Sequence, residues 1–255
     1  MLKRAFLAAG CLALLAGCAS PGQQRRSARA ELAERVLERA GSRADPGRVA
    51  ATDFAFARMA RDQGQWTAFR EYAAPGAQMF AGGSAIDAEE WLAGRPDPAQ
   101  AIEWAPREVW SSCDGSLAVS FGRYRDAEGL FGHYATVWQR LRDGSYKWTY
   151  DVGTPQVPQP APRAPDVEPD EDTIIVDALQ AITAHTADCE QRKPGQGRTE
   201  APAEEASQVL TRARDGTLAW RMEQTGPESW RMIVEWQRDG QWQEALAFGI
   251  PDRQG

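Results

Sequence analysis

Few residues in this chain could do chemistry. His133 and His185 are the only histidines among 255 residues. Neither has Cys or carboxylate neighbours at metal-ligand spacing, so no metal site is expected. There is no glycine-rich phosphate loop and no nucleophile elbow, so no cofactor is expected either. What stands out is a set on strand-like sequence: Trp110, Phe121, Tyr134, Thr136, Trp138 and Asp151. Strand residues two apart share a face. A face of large aromatics with a few polar groups suits a small-molecule pocket, and it equally suits an ordinary core. Asp151 is a weak catalytic candidate, with pairing to Lys147 or a backbone cap as the plain alternative. Asp53, at the border of an apolar helix face, is expected to point outward into a salt bridge.

Several elements must position that set. Asp45-Pro46 is a helix start, a capping side chain followed by Pro at the first helical position, and Gly64 ends that helix. A second helix spans Gln65–Ala73. A strand is expected at Ala77–Ala81 and a short helix at Asp87–Ala93. Antiparallel strands follow at Glu103–Cys113, Ser116–Arg125, Leu130–Arg142 and Ser145–Val152, with Asp114-Gly115 and Asp143-Gly144 as hairpin turns. If those turns and the one at Asp126–Gly129 all close with even-numbered loops, the six residues above share one face. A one-residue error in the middle turn would flip half of that assignment. Residues 154–172 are a Pro-rich, acidic linker. A β-rich module is expected over 173–255, with strands at Ile174–Val176, Gln208–Ala213, Leu218–Gln224, Ser229–Gln237 and Gln241–Gly249.

The N-terminus carries an address. Met1–Arg4 is basic, and Ala5–Gly17 is uncharged and too short to span a bilayer as a helix. It ends in Leu15-Ala16-Gly17-Cys18, which resembles the lipobox of bacterial lipoproteins. The resemblance implies cleavage after residue 17 and lipidation of Cys18. Ala19 after the Cys implies the outer membrane, with the folded part facing the periplasm. Residues 18–44 then form a lipidated tether and a short helix over Ala28–Ala40. The formal charge is −7, and it becomes more acidic once Lys3 and Arg4 leave with the signal. A chain of that sign is a poor partner for nucleic acid. Cys11 leaves too, so Cys113 and Cys189 are the thiols left in an oxidising compartment. They are expected to form a disulfide.

"FAFARMARDQGQWTAFREYA" (Phe54–Ala73) and "TVWQRLRDGSYKWTYDVG" (Thr136–Gly153) together resemble the nuclear-transport-factor-2-like superfamily, in its SnoaL-like and DUF4440 branch. The resemblance covers residues 45–153. It implies an α+β cone, with helices on a curved antiparallel sheet around a pocket. Related sequences often place His after the Asp of the last strand, whereas here Val152 follows Asp151, and that weakens an enzyme reading. Three readings stay open. The first is a non-enzymatic lipoprotein that binds a small hydrophobic ligand or an envelope protein. The second is a small isomerase- or cyclase-type enzyme with Asp151 as general base. The third is a structural envelope protein that holds another chain.

Overall fold

The computed structural model describes residues 44–161, 181–189 and 207–251. The signal, Cys18, the Ala28–Ala40 helix and the Ile174–Val176 strand lie outside them. Helix α1 spans Pro46–Gln63, and the Asp45 carboxylate accepts from Arg48 N at 2.9 Å at its start. Val49, Asp53, Phe56 and Ala60 form its buried stripe, at the three- and four-residue spacing of one helix face. Gly64 then turns the chain at φ 115° into α2 (Gln65–Tyr72). A side chain at position 64 would strike the Asp97 carboxylate, which accepts from the backbone N–H groups of Trp66 and Thr67. Helix α3 (Ala88–Leu92) starts at Asp87, whose carboxylate accepts from Glu90 N at 2.8 Å.

The first sheet contains β1 (Ala73–Ala81), β2 (Ser84–Asp87), β3 (Glu103–Ser111), β4 (Leu117–Arg125), β5 (Phe131–Arg140), β6 (Tyr146–Pro155) and β7 (Thr183–Thr186), in the order β2-β1-β6-β5-β4-β3-β7. Neither β2 nor β7 is expected from the sequence pattern, because both are short. β7 lies parallel to β3 at the sheet edge. Register shifts between Pro106/Glu108 and between Val137/Trp138 mark irregularities of the kind that bends a sheet.

The expected C-terminal β-rich module is a second, four-stranded sheet. It contains β8 (Ser207–Arg212), β9 (Leu218–Gln224), β10 (Trp230–Arg238) and β11 (Gln241–Ile250), in the order β11-β10-β9-β8. The described residues have a mixed α and β architecture with two cores. In one, the helices pack on the first sheet through Phe56, Phe69, Trp138 and Trp148. In the other, Trp110, Val119, Val137 and Tyr150 of the first sheet meet Leu218, Trp220, Met232 and Trp236 of the second. The sheet ends are joined as well. Cys113 N donates to Thr217 Oγ1 at 2.9 Å, and Asp114 N donates to Asp215 Oδ2 at 2.7 Å. Cys113 and Cys189 form the disulfide expected from the sequence, with Cα atoms 5.2 Å apart.

Candidate functional site

The six residues expected on one wall divide between the two faces of the first sheet. Thr136 pairs with Asp151 across β5 and β6, and Ser120 pairs with Thr136 across β4 and β5. Cross-strand partners project to the same side, so Ser120, Thr136 and Asp151 form one row. Tyr134 and Trp138 share that side by alternation on β5, and Trp138 belongs to the helix-side core. Trp110 and Phe121 lie on the other face. Trp110 stacks on His185 with ring centroids 5.4 Å apart, and Phe121 meets Phe248 of the second sheet at 5.3 Å.

The single wall is corrected by the β4–β5 turn. Arg125 pairs with Phe131, Asp126 N donates to Leu130 O, and Gly129 N donates to Asp126 O. The loop is therefore odd-numbered, and Phe121 aligns with Ala135. Its parity places Phe121 opposite to Tyr134 and Thr136.

The helix-facing group is built around Asp53, which is fully buried on the inner stripe of α1. The expected outward salt bridge is therefore corrected. Position 53 follows Val49 by four residues and precedes Phe56 by three, so it lies within the apolar stripe rather than beside it. Three side chains donate to its carboxylate: Trp104 Nε1 to Oδ1 at 2.9 Å, Ser120 Oγ to Oδ2 at 2.7 Å, and Tyr134 OH to Oδ2 at 3.0 Å. Trp138 Nε1 in turn donates to Ser120 Oγ at 2.9 Å. The Tyr134 ring lies over Gly122, where a β-carbon would sit 2.6 Å from Tyr134 Cε1 and 2.2 Å from the Ala105 carbonyl oxygen. Trp104 and Ser120 carry no sequence signal beyond their strand positions. Asp53 does carry one, its helical phase.

Asp151 is held differently. It is half-buried, and Thr136 Oγ1 donates to its Oδ2 at 2.6 Å. Its expected partner Lys147 pairs with Glu71 instead, with Nζ 3.5 Å from Glu71 Oε1. Burial pushes the Asp53 carboxyl up to about 6 against the pull of its three donors. Burial also pushes Asp151 up to about 7, with the nearby Asp53 charge adding to the rise and Thr136 opposing it. Burial and the Asp53 charge raise the Tyr134 phenol well above its ordinary range. Two carboxyls whose charges repel each other this way hold a proton near neutral pH more readily than either would alone. His133 stacks on Phe121 with centroids 5.7 Å apart, on the side of the second sheet. Among the described residues no group of His, Cys, Asp or Glu could hold a metal ion, and no helix is long and apolar enough to cross a membrane.

No family model and no curated protein matches the sequence. Among solved structures, a protein of Shewanella frigidimarina named "putative ketosteroid isomerase" is similar over 41% of this chain and 94% of its own. The identity is 16% and the TM-score 0.30. A likeness that distant carries no chemistry from one chain to the other.

Proposed function

We propose that the protein is a lipid-anchored envelope protein. In this reading its helix-and-sheet half, with the NTF2-like arrangement that the sequence resembles, is a binding module for a small molecule or an envelope protein and not an enzyme. One observation favours recognition of a partner at the outer surface over enclosure of a ligand. The space between the helices and the first sheet is filled by Phe56, Trp138 and Trp148, each at most 2% exposed, and by the Asp53 carboxylate at 0%. A packed core of that kind leaves recognition to the outer surface. Attachment through Cys18 rests on the Leu15–Cys18 motif. Two or more acyl chains there would hold the protein stably at a membrane. The test is fractionation of envelopes from cells making the wild type or Cys18→Ser, followed by native mass spectrometry of the wild-type protein. Release of the variant into the soluble fraction, together with a retained ligand or partner, is the expected result. Membrane retention of a correctly cleaved Cys18→Ser chain overturns the anchor.

A second reading, an isomerase- or cyclase-type enzyme, is favoured by Asp151. Among the described residues Thr136 is the one side-chain donor to Asp151, where Asp53 has three, and Asp151 keeps some exposure. A carboxylate so placed has capacity left to take a proton from carbon, and its raised pKa suits a general base. Asp151→Asn abolishes any activity found under this reading and leaves partner binding intact under the first.

A further inference from the structure

The outer flank of α1 holds an open cleft of about 630 Å³, and neither Asp53 nor Asp151 lines it. Its floor is apolar. Ala51, Ala55 and Met59 line it, and at four-residue spacing they stack along one side of the helix over about 12 Å. The Tyr72 ring forms a wall, held from behind by stacking on Phe56 with centroids 5.0 Å apart.

The polar lining is cationic on balance. Lys147 and Arg48 both line the cleft. Lys147 Nζ donates to the backbone oxygen of Glu71 and lies 5.6 Å from the Tyr72 ring centroid, so the ammonium is fixed rather than free to sweep. A β-carbon on Gly144 would come within 3.8 Å of Arg48 Nη1 and 3.6 Å of Arg140 Nη2, so two guanidinium groups flank that turn. Glu71 lines the cleft too and pairs with Lys147, so the surplus positive charge of the lining is that of Arg48. Asp143 accepts from Ser145 N and Ser145 Oγ, and Asp45 accepts from Arg48 N. Among the described residues no carboxylate forms a salt bridge with Arg48. On a chain of net charge −7, a fixed ammonium and a guanidinium beside an apolar helix groove are complementary to one kind of ligand.

We propose that this cleft binds an anionic amphiphile through one alkyl chain. Its carboxylate or phosphate head would sit at Arg48 and Lys147, with its alkyl chain laid along Ala51, Ala55 and Met59 against Tyr72. The head draws on charge attraction at a partly screened surface, and the chain gains from each methylene removed from water. Such a ligand is offered both by free fatty-acid-like molecules and by anionic lipids at a membrane surface. The site stands whether or not Asp151 is catalytic and whether or not Cys18 is acylated.

Calorimetric titration of the full chain carrying Cys18→Ser tests this, with dodecanoate below its micellar concentration as one probe and phosphatidylglycerol vesicles as the other. The expected result is binding of at least one probe, at least tenfold tighter than dodecyltrimethylammonium or phosphatidylcholine vesicles respectively. Dodecanoate binding marks a free amphiphile as the source, and vesicle binding alone marks the membrane. Ala55→Trp, which fills the groove from a half-buried position, weakens binding at least tenfold. So does Arg48→Gln combined with Lys147→Gln, whereas Arg231→Gln on the second sheet leaves it unchanged. Failure of both probes to bind, equal affinity for the cationic or zwitterionic controls, or full binding by a folded Ala55→Trp chain overturns the proposal.

Discussion

Ser120 Oγ lies 2.7 Å from Asp53 Oδ2, and this bond joins α1 to the middle of the first sheet. The same hydroxyl accepts from Trp138 Nε1 at 2.9 Å, so one small side chain satisfies two groups that are both fully buried. Buried donors and acceptors without partners cost far more than a hydrogen bond contributes.

Ser120→Ala therefore strands the indole N–H of Trp138 and removes one of three donors from Asp53. A loss of about 2–4 kcal/mol is expected in urea unfolding, with the denaturant slope unchanged. Tyr134→Phe removes one donor to the same carboxylate and leaves no other group unpaired. A smaller loss of about 1–3 kcal/mol is expected. Equal stability of Ser120→Ala and wild type would mean that the network contributes nothing.

The two raised carboxyls set a pH dependence. Asp53 moves from 3.8 to about 6, and Asp151 from 3.8 to about 7. In this window the folded state binds more protons than the unfolded state, so stability falls as pH rises. The contribution of the two groups is complete below about pH 4 and is lost as pH climbs through about 6 and 7. Unfolding free energies measured from pH 4 to 8 should show wild type losing a few kcal/mol more across this range than Asp151→Asn. Identical pH profiles for the two proteins contradict the raised carboxyl.

How far this site could be read from sequence depends on turns and bulges. The helix boundaries follow from Asp45, Pro46 and Gly64, because caps act locally. Thr136 and Asp151 fall on one face as expected, but through two compensating departures. The β5–β6 turn closes at Leu141 and Ser145 around an odd number of residues, and the register shift between Val137 and Trp138 restores the parity. Trp148 and Tyr150, two apart on β6, consequently belong to opposite cores. Nothing in the local sequence marks that shift, because it is set by packing on both faces. The second sheet covering Trp110 and Phe121 is equally invisible to alternation, which reports that a face is buried but not what buries it.

Gly64 offers a sharper test of the helix turn. Its φ is 115°, and an added β-carbon would stand 2.4 Å from Asp97 Cγ. Relief requires withdrawing the carboxylate that caps α2 through Trp66 N and Thr67 N. Gly64→Ala should cost the cap together with the backbone strain, about 2–3 kcal/mol. In Asp97→Ala the cap is already gone and the clash relieved, so the further cost of Gly64→Ala falls by about 1 kcal/mol or more in a double-mutant cycle. Strict additivity would show that the carboxylate and the glycine are independent.

The disulfide closes the seam between the sheets rather than tying on a separate module. Cys189 lies three residues after β7. Between them, Ala187 N donates to Ser111 O of β3, and Asp188 N donates to Gln237 O of β10. The Asp188 carboxylate also accepts from Asp239 N at 2.6 Å. This stretch thus strings hydrogen bonds to both sheets, and the bond to Cys113 fixes it across a sequence separation of 76 residues. A loop of that length corresponds to about 4 kcal/mol in the chain-entropy model, a large part of the 5–15 kcal/mol (roughly) that stabilises an ordinary domain. Replacing Cys113 and Cys189 with Ala, or reducing the bond, should lower the unfolding midpoint. It should also speed amide exchange first in residues 183–189, with β4 and β5 protected longest, because β7 is an edge strand of four residues and edges open at low cost. Uniform loss of protection across both sheets would show instead that the bond supports the whole fold. Unchanged exchange in 183–189 would show that the hydrogen bonds to Ser111 and Gln237 hold the segment without it.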